Sequence, residues 1–253
     1  MYNPFSLKNK TILVTGASSG IGRAIALECA KMGARLIITA RNKQRLDDTF
    51  AALEGSGHQQ IIADLAQKEA LEGLVLQCPE LDGVVHSAGI AKLILVQFIK
   101  QADIEEIFAT NTFAPIVLTS LLVKKKKIRT GGSVVFISAA SGVYMSSVGE
   151  SLYSATKGAI HGFTKGIALD LAPKGIRVNT VNPGLVPTEI LDIADDLFSR
   201  EEVLERRKKQ YPLKRFGKPE DIAAGTVYLL SDASTWVTGS ALIIDGGLQL
   251  GAI

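Results

Sequence analysis

A chain of 253 residues, 47% hydrophobic and 21% charged, has the composition of a globular protein with a substantial core, in one large α/β domain or two small ones. Its net charge of +3 is too small to argue for nucleic acid, and its two cysteines cannot build a disulfide framework. The apolar run Leu93 to Ile99 is short, no stretch reads as long enough to cross a bilayer, and no His/Cys spacing suggests zinc. The opening MYNPFSLKNK lacks a basic segment followed by an apolar one, so a cytoplasmic, reduced setting is expected, with no membrane and no metal. Charge is locally uneven. Lys124-Lys125-Lys126-Lys127 with Arg129 form one basic run and Arg206-Arg207-Lys208-Lys209 another, both read as solvated helix ends.

Short β-branched apolar runs alternate with longer helical stretches. In chain order they read as strand Thr11–Thr15, helix Ile21–Met32, strand Arg35–Thr39, helix Lys43–Leu53 and strand Gln59–Ala63. Helix Lys68–Gln77, strand Gly83–His86, helix Ala102–Lys127 and strand Ser133–Ser138 follow. Helix Ser151–Ala172, strand Arg177–Asn182, helix Pro219–Leu230 and strand Ala241–Ile244 complete the pattern. Continuously apolar strands are buried on both faces, and the alternation predicts a parallel sheet with right-handed crossovers. No repeat, low-complexity linker or change in composition divides it. Residues 1–253 therefore read as one domain.

Between the first strand and first helix lies Thr15-Gly16-Ala17-Ser18-Ser19-Gly20-Ile21-Gly22. Gly16 lets the chain turn at the strand end, while Gly20 and Gly22 let backbone and helix approach a ligand. A helix N-terminus placed there offers free N–H groups to a pyrophosphate. Further along, Tyr153 and Lys157 stand four residues apart, which on a helix puts both side chains on one face. A lysine ammonium beside a phenol favours the phenolate, so the pair is expected to lower the tyrosine's pKa and to move protons.

The glycine spacing Gly-x-x-x-Gly-x-Gly and Tyr153-x-x-x-Lys157 resemble the short-chain dehydrogenase/reductase family, in its single-domain branch. Asn111 in Thr110-Asn111-Thr112, Asp64-Leu65 after the third strand, Pro183-Gly184 after the sixth and Asp245-Gly246-Gly247 after the seventh also match. The resemblance implies a doubly wound, seven-stranded Rossmann sheet ordered 3-2-1-4-5-6-7, with cofactor and substrate at the carboxyl ends of the strands. It implies that Gly16, Ser18, Ser19, Gly20, Ile21 and Gly22 line the pyrophosphate and ribose of a nicotinamide cofactor. Asp64 and Leu65 would flank the adenine, Ala88-Gly89 would pass beneath the cofactor, and Pro183, Gly184, Val186 and Thr188 would hold the nicotinamide end. Tyr153 would exchange a proton with the substrate oxygen, and Lys157 would also bind the nicotinamide ribose. Asn111 would hold a water linking Lys157 to solvent, a role compatible with stabilising a helix kink. A homotetramer packed through the two long helices and the last strand is implied too.

After the second strand, Ala40-Arg41-Asn42 offers no carboxylate for a ribose 2′-hydroxyl, whereas Arg41 suits a 2′-phosphate; NADP(H) is the expected cofactor. The alternative is that Arg41 only begins the next helix from solvent. Two departures from the family pattern stand out. The serine expected past the fifth strand falls on Ala139 or Ala140, with Ser138 and Ser141 flanking the gap, and Ser141 is the candidate replacement. His86-Ser87 stands where two asparagines are usual; His86 reads as a buried strand-end histidine rather than a cofactor contact. Glu189 to Tyr211, with Leu191, Ile193, Leu197 and Phe198, reads as a substrate lid over 189–211.

The expected activity is interconversion of a ketone and a secondary alcohol. The segment Lys214 to Ile222 resembles the 3-oxoacyl-acyl-carrier-protein reductase branch, which implies a 3-oxoacyl thioester, carrier-linked or free, with Lys127, Arg129 and Lys174 docking the carrier. The missing serine motivates a second reading, a nucleotide-binding regulatory protein with weakened or lost catalysis.

Overall fold

The structure is a computed structural model that describes residues 2–188, 205 and 207–251. Seven parallel strands form one sheet in the order β3-β2-β1-β4-β5-β6-β7, as the resemblance implied. They are β1 (Thr11–Thr15), β2 (Arg35–Ala40), β3 (Gln59–Ile62), β4 (Leu81–His86), β5 (Ile128–Ile137), β6 (Arg177–Pro183) and β7 (Ala241–Ile244). The helices are α1 (Gly20–Lys31), α2 (Lys43–Ala51), α3 (Lys68–Gln77), α4 (Gln101–Phe108), α5 (Ala114–Lys124), α6 (Ser151–Leu171) and α7 (Pro219–Leu230).

Because successive strand residues point to opposite faces, each apolar run feeds two cores at once. Ile12, Val14, Leu36, Ile38, Val135 and Ile137 face a layer built with Ile25 and Ala26 of α1 and Ile222 and Val227 of α7. Leu13, Ile37, Val84, Val134 and Phe136 face the other layer, with Leu74 of α3, Leu118 of α5 and Ile160 of α6. Double burial explains why the strands read as unbroken hydrophobic runs rather than alternating ones.

The long helix expected over Ala102–Lys127 is corrected by the structure. It is α4 and α5 joined by a π turn, Ala109–Phe113, with Asn111 at its centre. Pro115 supplies the cause. It has no N–H to return to the Asn111 carbonyl four residues back, and its ring crowds that carbonyl, so the backbone widens there. The Ala114 N–H reaches Ala109 O, five residues back, in compensation. A second correction concerns membranes. Gln101–Lys124 is apolar and long enough to span a bilayer, with a mean hydropathy of 1.5 over its best window. Its apolar face is nevertheless spent on the sheet, where Ala114, Leu118 and Leu122 are buried. β5 also begins at Ile128, earlier than expected, with a register irregularity against β4 between Leu81 and Gly83.

Candidate active site

The carboxyl ends of β1, β4, β5 and β6 bring most of the expected residues to one edge. Gly16 turns with φ +67°, and a Cβ there would lie 2.7 Å from the Ala88 backbone. On Gly22 it would come within 2.2 Å of the Gly16 carbonyl oxygen. The buried Thr15 hydroxyl accepts the Ser87 and Ala88 N–H groups at 3.1 and 3.2 Å, tying the end of β1 to the chain leaving β4. Ser19 begins α1 without a side-chain cap, and no acidic residue occupies the first turn. The orphan N–H groups of that turn thus face an uncontested cradle, which fits a pyrophosphate. Thr188 stands over the same spot, since a Cβ on Gly20 would be 3.2 Å from its Cγ2.

Where the resemblance implies the nicotinamide end, Gly184 N–H donates to Ile244 O, and Leu185 N–H donates to the Tyr211 hydroxyl oxygen at 3.0 Å. Ala140 N–H donates to the Pro183 carbonyl, and Val186 is buried. Arg41 is exposed just past β2 with no side-chain partner among the described residues, while Asn42, not Arg41, caps α2 by accepting Arg45 N–H. Asp64 is exposed and accepts Ala66 N–H; Leu65 is buried beside it. Apart from Glu205 and Arg207 to Tyr211, the lid expected over 189–211 lies outside the described residues.

Tyr153 and Lys157 lie in the first two turns of α6. Lys157 is buried, its Nζ donates to Ile137 O at 3.0 Å, and it sits 5.5 Å from the centroid of the Tyr153 ring. Loss of water pulls the Lys157 ammonium down to about 8. Tyr153 departs from expectation. Desolvation, and then the Glu150 carboxylate, hold its phenol above the ordinary range, and Lys157 does not reverse this. Loss of water disfavours both charged forms, the phenolate as well as the ammonium, and for the phenol it is the largest effect. The site as built therefore holds a neutral phenol, the form that gives a proton.

Asn111 is buried, and its amide is fully engaged. Its Oδ1 accepts Ile90 N–H at 2.8 Å, and its Nδ2 donates to Ile90 O at 2.8 Å and to the Thr156 hydroxyl at 3.2 Å. Thr156 in turn donates to Tyr153 O at 2.7 Å. Gly89 lies between, since a Cβ there would be 3.3 Å from Asn111 Oδ1 and 3.7 Å from Lys157 Nζ. The kink-stabilising role is therefore the one these bonds perform.

Neither Ala139 nor Ala140 offers a hydroxyl, and both are buried. Ser138 donates to Lys157 O at 3.2 Å, and the Ser141 hydroxyl donates to Glu150 Oε2 at 2.7 Å. Ser141 is thus near the site with its proton committed to another partner. His86 is buried, stacked on Phe136 at 4.7 Å and bonded to Thr119, with its pKa lowered by burial to about 3. It is a neutral strand-end histidine. Sequence reasoning missed two participants, Glu150 and Thr156, although Pro115 in the sequence already marked the π turn that aims Asn111.

Lys127, Arg129 and Lys174 are not brought to the site. Arg129 begins β5 and pairs with Glu80 and Asp82, while Lys127 donates to Cys78 O. Lys174 follows the far end of α6, about 30 Å from Tyr153 at the rise of a helix.

A family model described as enoyl-(acyl carrier protein) reductase matches residues 16–249. The chain belongs to the short-chain dehydrogenase/reductase family. It is an oxidoreductase whose family implies a nicotinamide cofactor. It is 35% identical to the 3-oxoacyl-[acyl-carrier-protein] reductase of Thermotoga maritima over 250 residues, covering 96% of this chain and 99% of the relative. Carbonyl reductase family member 4 of Danio rerio is 34% identical, covering 96% of this chain and 99% of that protein. A short-chain dehydrogenase/reductase from Serratia marcescens superposes with a TM-score of 0.87 at 31% identity, over 98% of this chain and all of that one.

Asn111→Ala takes the side-chain partner from both backbone groups of half-buried Ile90, a loss of about 1–3 kcal/mol in all. Denaturant unfolding should register a loss in that range, and turnover should fall with it as Ile90 and Thr156 lose their common anchor.

Proposed function

We propose that this chain is an NADP(H)-dependent ketoreductase, with 3-oxoacyl thioesters among its substrates. The observation that carries the reading is the Tyr153 ring 5.5 Å from the buried Lys157 ammonium, at the strand edge where the glycine cradle opens. The cofactor, when bound, supplies the hydride. The chain's own work is to position and to protonate. Gly16, Gly20 and Gly22 admit the pyrophosphate to the N–H groups of α1, and Gly89 leaves room above Asn111 and Lys157. Tyr153 gives its proton to the oxygen of the substrate as negative charge develops there, and in the reverse direction recovers it. Lys157, held by Ile137 O, keeps a positive charge beneath the ring below pH about 8. Relatives named as 3-oxoacyl-[acyl-carrier-protein] reductases support the substrate class. Exposed Phe113 at the end of the π turn, Val117 on α5 and Leu169 on α6 support packing into a homotetramer.

Arg41 carries the choice of cofactor, since it is exposed, unpartnered and has no acid beside it. Arg41→Ala should raise KM for NADPH at least tenfold more than KM for NADH; equal effects would remove NADP(H) preference from the reading. Tyr153→Phe should lower kcat by roughly 10²–10⁴ across a panel of ketones with NADPH. Nucleotide binding without any Tyr153-dependent turnover would instead favour the regulatory protein. Between pH 7 and 9, NADPH affinity measured by fluorescence titration should fall as Lys157 loses its charge near pH 8. Lys157→Met should bind more weakly and show no such step; a step that survives the substitution belongs to another group.

A further inference from the structure

Glu150 immediately precedes α6, three residues ahead of Tyr153, so both side chains leave the same end of the helix. Its Oε2 accepts the Ser141 hydroxyl at 2.7 Å and the Ser147 N–H at 3.2 Å. Its Oε1 accepts no hydrogen bond and the carboxylate makes no ion pair among the described residues. The group is thus partly buried and held in place from one side, with one oxygen uncommitted. Burial is the main reason that the phenols of Tyr153 on α6 and Tyr211 on the segment after β6 are raised, and the Glu150 charge adds to the rise in both. The nearest cation on α6, Lys157, is spent on Ile137 O. Beside it the chain is apolar. Gly149 O accepts Ile94 N–H at 2.9 Å, joining two loops whose Leu95, Val96, Phe98 and Val148 are exposed.

A fixed, unneutralised carboxylate at an apolar mouth repels a second negative charge. We propose that Glu150 is a specificity-determining residue that excludes carbonyl substrates bearing an anionic group near the reacting carbon and admits neutral or cationic ones. The inference rests on the ketoreductase reading and names the substrate class for that site. At a separation of about 6 Å and an effective dielectric near 20, the repulsion discriminates by roughly a hundredfold.

The test compares kcat/KM with NADPH for an oxo acid and for its neutral methyl ester, in native enzyme, Glu150→Gln and Glu150→Asp. Native enzyme should favour the ester. Glu150→Gln should raise the acid-to-ester ratio about tenfold or more, while Glu150→Asp, which keeps the charge but shortens the reach to Ser141, should retain the native ratio. An unchanged ratio in Glu150→Gln overturns the proposal, as does an equal change in both variants, which would mean a structural role. If Glu150→Gln does not fold, native enzyme is compared on an anionic, a neutral and a cationic ketone of matched size. Equal kcat/KM on all three overturns it as well. Native enzyme that binds NADPH but reduces no ketone of any charge removes the ketoreductase reading, and this inference with it.

Discussion

Both backbone groups of Ile90 end on one side chain, the amide of Asn111, and the working geometry of the site depends on that clasp. Ile90 follows Gly89, the residue that leaves space beside Lys157. The same amide reaches Thr156, whose hydroxyl holds the Tyr153 carbonyl. One asparagine therefore links the loop leaving β4, the break between α4 and α5, and the start of α6. Buried amides are costly to leave unpaired, so the three segments move together or not at all. Pro115 makes this possible. By denying the Asn111 carbonyl its regular partner, it opens the helix into a π turn at the position where the amide must face inward.

The sheet was legible because both faces of every central strand are buried, which leaves continuous apolar runs that glycine and polar segments punctuate. The cradle was legible for a similar reason. Gly16 and Gly22 stand where any Cβ would strike backbone, and such positions declare themselves as glycine. The break at Asn111 was harder to see, because the apolar period runs through it without a phase change. Only Pro115 signalled it. The state of Tyr153 was not legible at all. Spacing put a lysine beside the phenol, but the balance between its attraction and the loss of water depends on burial, which a pattern of residues does not contain.

The absent serine has a physical consequence that the structure makes concrete. Ala139 and Ala140 are packed, with the Ala139 carbonyl held by Asn182 and the Ala140 N–H by Pro183, so the loop is fixed by its backbone. A hydroxyl is available two positions later, but its single proton goes to Glu150. The oxygen of Ser141 is thereby left as an acceptor. Carboxylate and hydroxyl together replace a donor with a fixed negative edge. A site of this kind holds a carbonyl through fewer donors and discriminates more by charge.

Distance constrains what can deliver a substrate. Tyr153 is at the carboxyl edge of the sheet, while Arg129 opens β5 at the opposite edge, roughly 17 Å away, since the irregular start of β5 gives it the same reach as Leu81 to His86 of β4. Arg129 is also engaged by Glu80 and Asp82, and a surface guanidinium already bonded to two carboxylates has less to give an acidic partner. Lys174 stands at the far end of α6. A carrier docked on these residues of the same chain would have to span the whole depth of the sheet to present its thioester. Within one chain, that depth is the constraint any delivery of substrate from Lys127, Arg129 and Lys174 must meet.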